Sequence, residues 1–201
     1  MPNLVVGSRN KKKRNEIVEL LAGLPIEVSD LSAYPDAGEV VEDGGSFVAN
    51  CRKKASEYAV RLGVWVLADD SGLVVPALGG APGVDSALYA GTHGDDEANN
   101  DKLLREMATL EGERRAAHYV CILALSDPFG NIVAVSEGRC GGYIASERGG
   151  VGGFGYDPLF VVPEYHRTFG ELSPRVKQAI SHRARALSTM RPRIAHLVCS
   201  S

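Results

Sequence analysis

The stretch VWVLADDSG, residues 64–72, constrains this chain more than any other. A short apolar run bounded by turn residues reads as a buried strand, and here it ends in two adjacent carboxylates, Asp69 and Asp70, followed by Ser71 and Gly72. In α/β folds ligands bind at strand ends, because the sheet fixes geometry while the following loop gives access. Two readings of the carboxylates follow: a turn that favours aspartate, or hard oxygen ligands for a divalent cation with one carboxylate left to act as a base.

The elements around that strand alternate. NLVVG is a short apolar run closed by Gly7, and Ile17, Leu20, Leu21 and Leu24 then recur at helical spacing until Pro25. IEVSDL is a second strand candidate, and YPDAGEVVEDGG, with Glu42 and Asp43 at its end, is a turn-rich acidic loop. SFVANCRKKASEYAVRLG is a helix with Ser46 as N-cap, Gly63 at its C-terminal end and one apolar stripe of Phe47, Cys51, Ala55, Tyr58 and Leu62. At about 100° per residue Lys54 falls inside that stripe, so it either turns inward or snorkels to water.

Further along, DDEANNDKLLREMATL reads as a helix with an acidic start, and AAHYVCILALSD and NIVAVSEGRC around PFG read as a hairpin of long strands. SPRVKQAISHRARALSTM closes the pattern as one helix with Ser173 as N-cap and Pro174 at its first position, and Arg183 falls on its apolar stripe. On one ideal helix Lys177 and His182 lie about 140° apart and cannot share a face. The expected class is α/β, with an elongated, mixed central sheet flanked by helices. At 201 residues the default is a single domain spanning residues 1–201.

Charge narrows the partners. Twenty-two Lys and Arg against twenty-five Asp and Glu give a net charge of -3, so any anion site is local and no basic field drives nucleic-acid binding. Cys51, Cys121, Cys140 and Cys199 form no C-x-x-C pair and read as reduced, mostly packed thiols. No apolar run suggests a membrane span or a secretion signal, and the expected location is cytoplasmic. Gly150-x-Gly152-x-x-Gly155 matches the dinucleotide fingerprint formally, but Tyr156, Asp157 and Pro158 follow where a helix should begin, and no P-loop sequence occurs. Lys13, Lys54, Lys177 and Arg183 lie on separate elements, while carboxylates close a strand. A polyphosphate with magnesium would neutralise both sets at once.

SRNKKKRNE, LADDSGLVVPALGGAPGV, GGFGYDPLF, TFGEL and SHRARAL, in order from residue 8 to about residue 187, closely resemble the inosine/xanthosine triphosphate pyrophosphatases. These enzymes hydrolyse non-canonical purine nucleotides. The resemblance implies an ITPase-like and Maf-like fold of two lobes with the nucleotide in a cleft between them. It also implies magnesium-dependent cleavage of ITP, dITP and XTP to the monophosphate and pyrophosphate, and a homodimer without nucleic-acid or membrane partners. Carried over by position, the turn Ser8, Arg9, Asn10, Lys11, Lys12 and Lys13 binds phosphate, with Ser8, Asn10 and Lys13 as its contacts and Lys11 and Lys12 solvated. Lys54 faces phosphate, Glu42 and Asp70 hold Mg2+, and Asp70, beside Asp69 and Lys13, accepts the proton. Ser71 touches substrate, Phe154, Gly155, Tyr156 and Asp157 hold the base, and Lys177, His182 and Arg183 complete the contacts. Ala49, Cys51, Asp85 and Leu88 depart from the family pattern. A Maf-like pyrimidine nucleotide pyrophosphatase and a non-catalytic nucleotide sensor are the alternatives.

Overall fold

Alternation along β1 (Asn3–Val6) sorts the apolar side chains onto two faces, and the rest of its surroundings follows from that. Leu4 and Val6 pack in one buried cluster with Ile17 and Leu21 of α1 (Lys11–Leu21) and Leu187, Met190 and Ile194 of α5 (His182–Cys199). Val5 packs in another with Tyr58 and Ala59 of α2 (Phe47–Leu62). Helices therefore cover both faces of the parallel strands.

The computed structural model describes residues 2–199, and the side chain of Cys199 lies outside the described residues. Seven strands follow the order β2-β1-β3-β4-β5-β6-β7. β1 runs parallel to β2 (Glu27–Asp30) and to β3 (Trp65–Val74), with Val5 opposite Ser29 and Val66. β5 (Ile132–Ile144), β6 (Phe160–Val162) and β7 (Arg167–Thr168) pair antiparallel, with Ile144 opposite Phe160. The sheet is mixed, and the hairpin expected around PFG is β4 (Ala116–Ser126) followed by β5.

Two compact units divide the chain: Met1–Asp70, Cys121–Gly138 and His182–Ser201 form the first, Ser71–Val120 and Arg139–Ser181 the second. The first contains the parallel strands with α1, α2 and α5. The second has its own core, in which Leu73, Leu103, Met107 and Ile144 surround Tyr119, Phe160 and Phe169, with ring centroids 4.7 Å apart for the first pair and 5.3 Å for Phe160 and Phe169. It also holds α3 (Asp96–Glu106), capped by Asp95, and α4 (Pro174–Ile180), capped by Ser173.

Two expectations change. β3 does not end at the aspartates but continues to Val74, so Asp69 and Asp70 lie within the strand. The final helix is two helices, because Ser181 adopts an extended backbone with ψ 159 between α4 and α5. Lys177 and His182 therefore sit on different helices, and the angle between them on one ideal helix has no bearing. Among the described residues no helix is long and apolar enough to cross a membrane. Cys51, Cys121 and Cys140 are buried free thiols.

Candidate active site

The pleat gives the two adjacent aspartates opposite surroundings. Asp69 shares its face of β3 with Leu67, which packs in the cluster with α1 and α5, whereas Asp70 shares the face of Val66, which packs in the cluster with α2. The contacts follow the faces. Asp69 Oδ2 accepts from Arg183 Nη2 at 3.3 Å and from Cys121 Sγ at 3.6 Å, and its Oδ1 lies 3.9 Å from Lys13 Nζ. Arg183 in turn pairs through Nη1 with Glu16 of α1. On the other face, Lys54 Nζ donates to Glu42 Oε2 at 2.8 Å and lies 3.7 Å from Asp70 Oδ1.

Local sequence fixes these positions. Asn10 caps α1, its Oδ1 accepting from the backbone N–H groups of Lys12 and Lys13 at 3.0 and 3.1 Å. That places Lys13 and Glu16 three residues apart on one side of the helix, while Lys11 and Lys12 are exposed and Ser8 is half-buried. Arg9 donates to the Gly38 carbonyl, away from the carboxylates. Ser46 and Gly63 bound α2 as expected, and Lys54 is 9% exposed, which settles the inward orientation.

Electrostatics separates the groups further. Burial pushes the Asp70 carboxyl up to about 6; Lys54 and Lys13 oppose the rise, and Glu42 and Asp69 add to it. Its Oδ2 is buried and accepts no hydrogen bond from the described residues. Burial disfavours the charge on Lys54, but Asp70, Glu42 and Asp69 outweigh it and hold the ammonium protonated. Arg183 behaves alike: burial is outweighed by Asp69 and Glu16. The thiols of Cys51 and Cys121 are raised by burial and stay protonated.

A separate cluster lies in the second unit. Lys177 Nζ donates to Asp157 Oδ2 at 2.5 Å and sits 4.4 Å from the centroid of the Phe154 ring. Asp157 also accepts from the Phe154 N–H at 2.8 Å and from Tyr119 Oη at 3.4 Å. Only glycine serves at 153: φ is +74, and a Cβ there would lie 2.0 Å from Asp157 Oδ2. Gly155 donates to Asp96 Oδ2, and Tyr156 is buried with its hydroxyl on the Ser86 carbonyl. Ser71 is buried on β3.

Of the residues expected from sequence, the first unit thus holds two sets of direct ion pairs, Lys13 and Arg183 with Asp69 and Lys54 with Glu42 and Asp70, and His182 is next to Arg183 in the chain. The second joins Phe154, Asp157 and Lys177. Glu16, Tyr119, Asp96 and Asn100 were not anticipated; only Glu16 left a trace, its spacing of three from Lys13.

Architecture and side-chain geometry together describe an α/β protein with buried carboxylates paired to ammonium and guanidinium groups in the first unit and a lysine against an aromatic ring in the second. The model of the Ham1 family matches residues 4–193, and the chain belongs to that family. It is 56% identical over 201 residues to a dITP/XTP pyrophosphatase of Rhodopirellula baltica, covering 100% of this chain and 97% of that protein. A dITP/XTP pyrophosphatase of Geobacter sulfurreducens is 49% identical, over 95% of this chain and 96% of its own. The solved structure of a HAM1 protein from Coxiella burnetii matches with a TM-score of 0.88 at 37% identity, covering 98% of this chain and 100% of that one.

Proposed function

We propose that this protein hydrolyses the non-canonical purine nucleoside triphosphates ITP, dITP and XTP to the monophosphate and pyrophosphate. The observation that carries the reading is the Asp70 carboxylate, buried beside Lys54 and Glu42 with one oxygen that accepts no hydrogen bond from the described residues. The dITP/XTP pyrophosphatase relatives, matched over nearly their full length, supply the substrate class.

The donor set suits Mg2+, a hard ion that takes one or two protein carboxylates and completes its shell with water and phosphate oxygens. Glu42 and Asp70 would hold it, although no group of three or more potential ligand side chains is found among the described residues. When bound, the ion offsets charge on the phosphates and the leaving pyrophosphate. Lys13 and Lys54 hold phosphate oxygens, and the first turn of α1, whose N–H groups at Lys12 and Lys13 are already capped by Asn10, adds its dipole to the same anion. The Asp70 carboxylate accepts the proton of the attacking water as the new oxygen–phosphorus bond forms at the α-phosphorus and the bond to the β-phosphate oxygen breaks. Asp69, held by Arg183, keeps Lys13 in place rather than meeting substrate.

For the base, Phe154 of the second unit offers a stacking face, and Lys177 beside its ring, whose ammonium has N–H groups beyond the one given to Asp157, suits the six-oxo group of hypoxanthine or xanthine, where adenine presents a donor of its own. Arg183 is held by Glu16 and Asp69 through its terminal nitrogens. We further propose a single functional domain working in the cytoplasm as a homodimer, which light scattering on the purified protein tests.

Pyrophosphate release measured with Mg2+ and each of ITP, dITP, XTP, GTP, ATP and dTTP tests the activity. Selective turnover of the first three is expected. Turnover confined to dTTP, or tight binding of ITP without turnover, would overturn the reading.

A further inference from the structure

Helix α3 grips the glycine-rich segment 148–155 at both ends. Gly155 donates its N–H to Asp96 Oδ2 at 2.9 Å, and its carbonyl accepts from Asn100 Nδ2 at 2.9 Å. Both backbone polar groups of one residue are thus held by side chains one helical turn apart. At the other end Arg148 bonds Asp101 at 2.8 Å and Glu97 at 2.9 Å, the same spacing one step around the helix. The ends differ in burial: Asn100 is 1% exposed, whereas Arg148, Glu97 and Asp101 are open to solvent.

The Asn100 amide is instructive. Its donors also reach the Asp96 carbonyl at 2.8 Å, so its orientation is fixed by two carbonyl acceptors. Its buried Oδ1 accepts no bond from the described residues. An idle buried oxygen costs stability, and a leucine, with the same number and branching of side-chain heavy atoms, would avoid that cost. What leucine cannot do is hold the Gly155 carbonyl.

Phe154, the residue before Gly155, has its own N–H on Asp157 and its ring beside Lys177. We infer that Asp96 and Asn100 are positioning residues for base recognition: by fixing Gly155 they hold the Phe154 ring where a purine stacks. The inference rests on the proposed base-holding role of Phe154. A stacked base is bound alike in the ground and transition states, so a loosened ring raises KM and leaves kcat in place.

Steady-state kinetics on dITP should show KM about tenfold higher in Asn100→Leu and in Asp96→Ala, with kcat within about twofold of wild type. Asp96→Asn, whose side-chain oxygen can still accept from Gly155, should restore KM, a rescue that a general loss of helix stability would not give. In NMR exchange the Gly155 amide should exchange about tenfold faster in Asp96→Ala and close to the wild-type rate in Asp96→Asn. Unchanged KM in Asn100→Leu with normal dITP turnover overturns the inference and leaves the proposed activity standing. Should Asn100→Leu fail to fold, equal KM values for Asp96→Ala and Asp96→Asn overturn it instead. Wild-type protein that turns over no dITP removes the activity, and with it the role assigned here, whatever the exchange rates.

Discussion

Both units bury a lysine against an aspartate, and the two pairs have opposite characters. Lys177 and Asp157 close a one-to-one pair of cation and carboxylate, and the carboxylate also accepts from an N–H and a hydroxyl. Around Lys54 and Asp70 the set is open, because the one Lys54 ammonium pairs with both Glu42 and Asp70. Two carboxylates thus share one ammonium, and burial, with Glu42 and Asp69 adding to it, pushes the Asp70 carboxyl up to about 6. A satisfied pair fixes shape. An unsatisfied one is ready to take a proton or a cation.

The sharpest way to break that contrast is Asp70→Asn, expected to reduce dITP turnover by about 10²–10⁴-fold while the folded circular-dichroism spectrum is retained. Activity near the wild-type level would show that the Asp70 carboxylate is not the reacting group. Next comes Arg183→Met, which removes the buried guanidinium that Asp69 and Glu16 share; urea unfolding should show a loss of about 3–5 kcal/mol. Adding Asp69→Asn should recover part of it, and a fully additive second loss would mean that the two side chains do not act as a pair.

The pH dependence of stability follows from Asp70 in metal-free protein. Its folded carboxyl, near 6, binds a proton more tightly than the unfolded one at its usual 3.8. The folded state therefore carries the extra proton between these values, and the stabilisation present at low pH is lost as pH rises through about 6. The loss is on the order of 2–3 kcal/mol, so in chelator Asp70→Asn should unfold at higher urea than wild type at pH 7.5, the gap closing towards pH 4. A gap that widens on acidification would reverse the sign assigned to this group. The smallest effect is expected in the second unit: Lys177→Met should cost only about 1–3 kcal/mol, because Asp157 keeps its bonds from Phe154 and Tyr119. A larger loss than for Arg183→Met would erase the distinction between the closed and open sets.

Much of this was legible in the residues, for identifiable reasons. α2 could be read end to end because Ser46, Gly63 and a regular apolar stripe agree, and the same periodicity turned Lys54 inward. β3 was read short because carboxylates, serine and glycine all argue against strand. The chain overrides them by bringing Lys54, Lys13 and Arg183 to the aspartates, which no local pattern announces. The break between α4 and α5 has neither glycine nor proline to mark it, only an extended Ser181. Among the candidate site residues, Lys13, Glu42, Asp70 and Lys177 are positions that the family resemblance supplies. Asp96 and Asn100 had no such signal, since what they hold is backbone 59 and 55 residues away. Contacts to main chain leave no residue type to read at the far end.

The alternating pleat through Asp69 and Asp70 makes their order a matter of parity. A single residue inserted between Leu67 and Asp69 would hand the Arg183 side the carboxylate meant for Lys54, and the reverse, without replacing any residue of the strand. Two inserted residues would restore each to its side while displacing both along it. The dipeptide is thus a two-position code in which identical letters acquire different meanings solely from being odd or even.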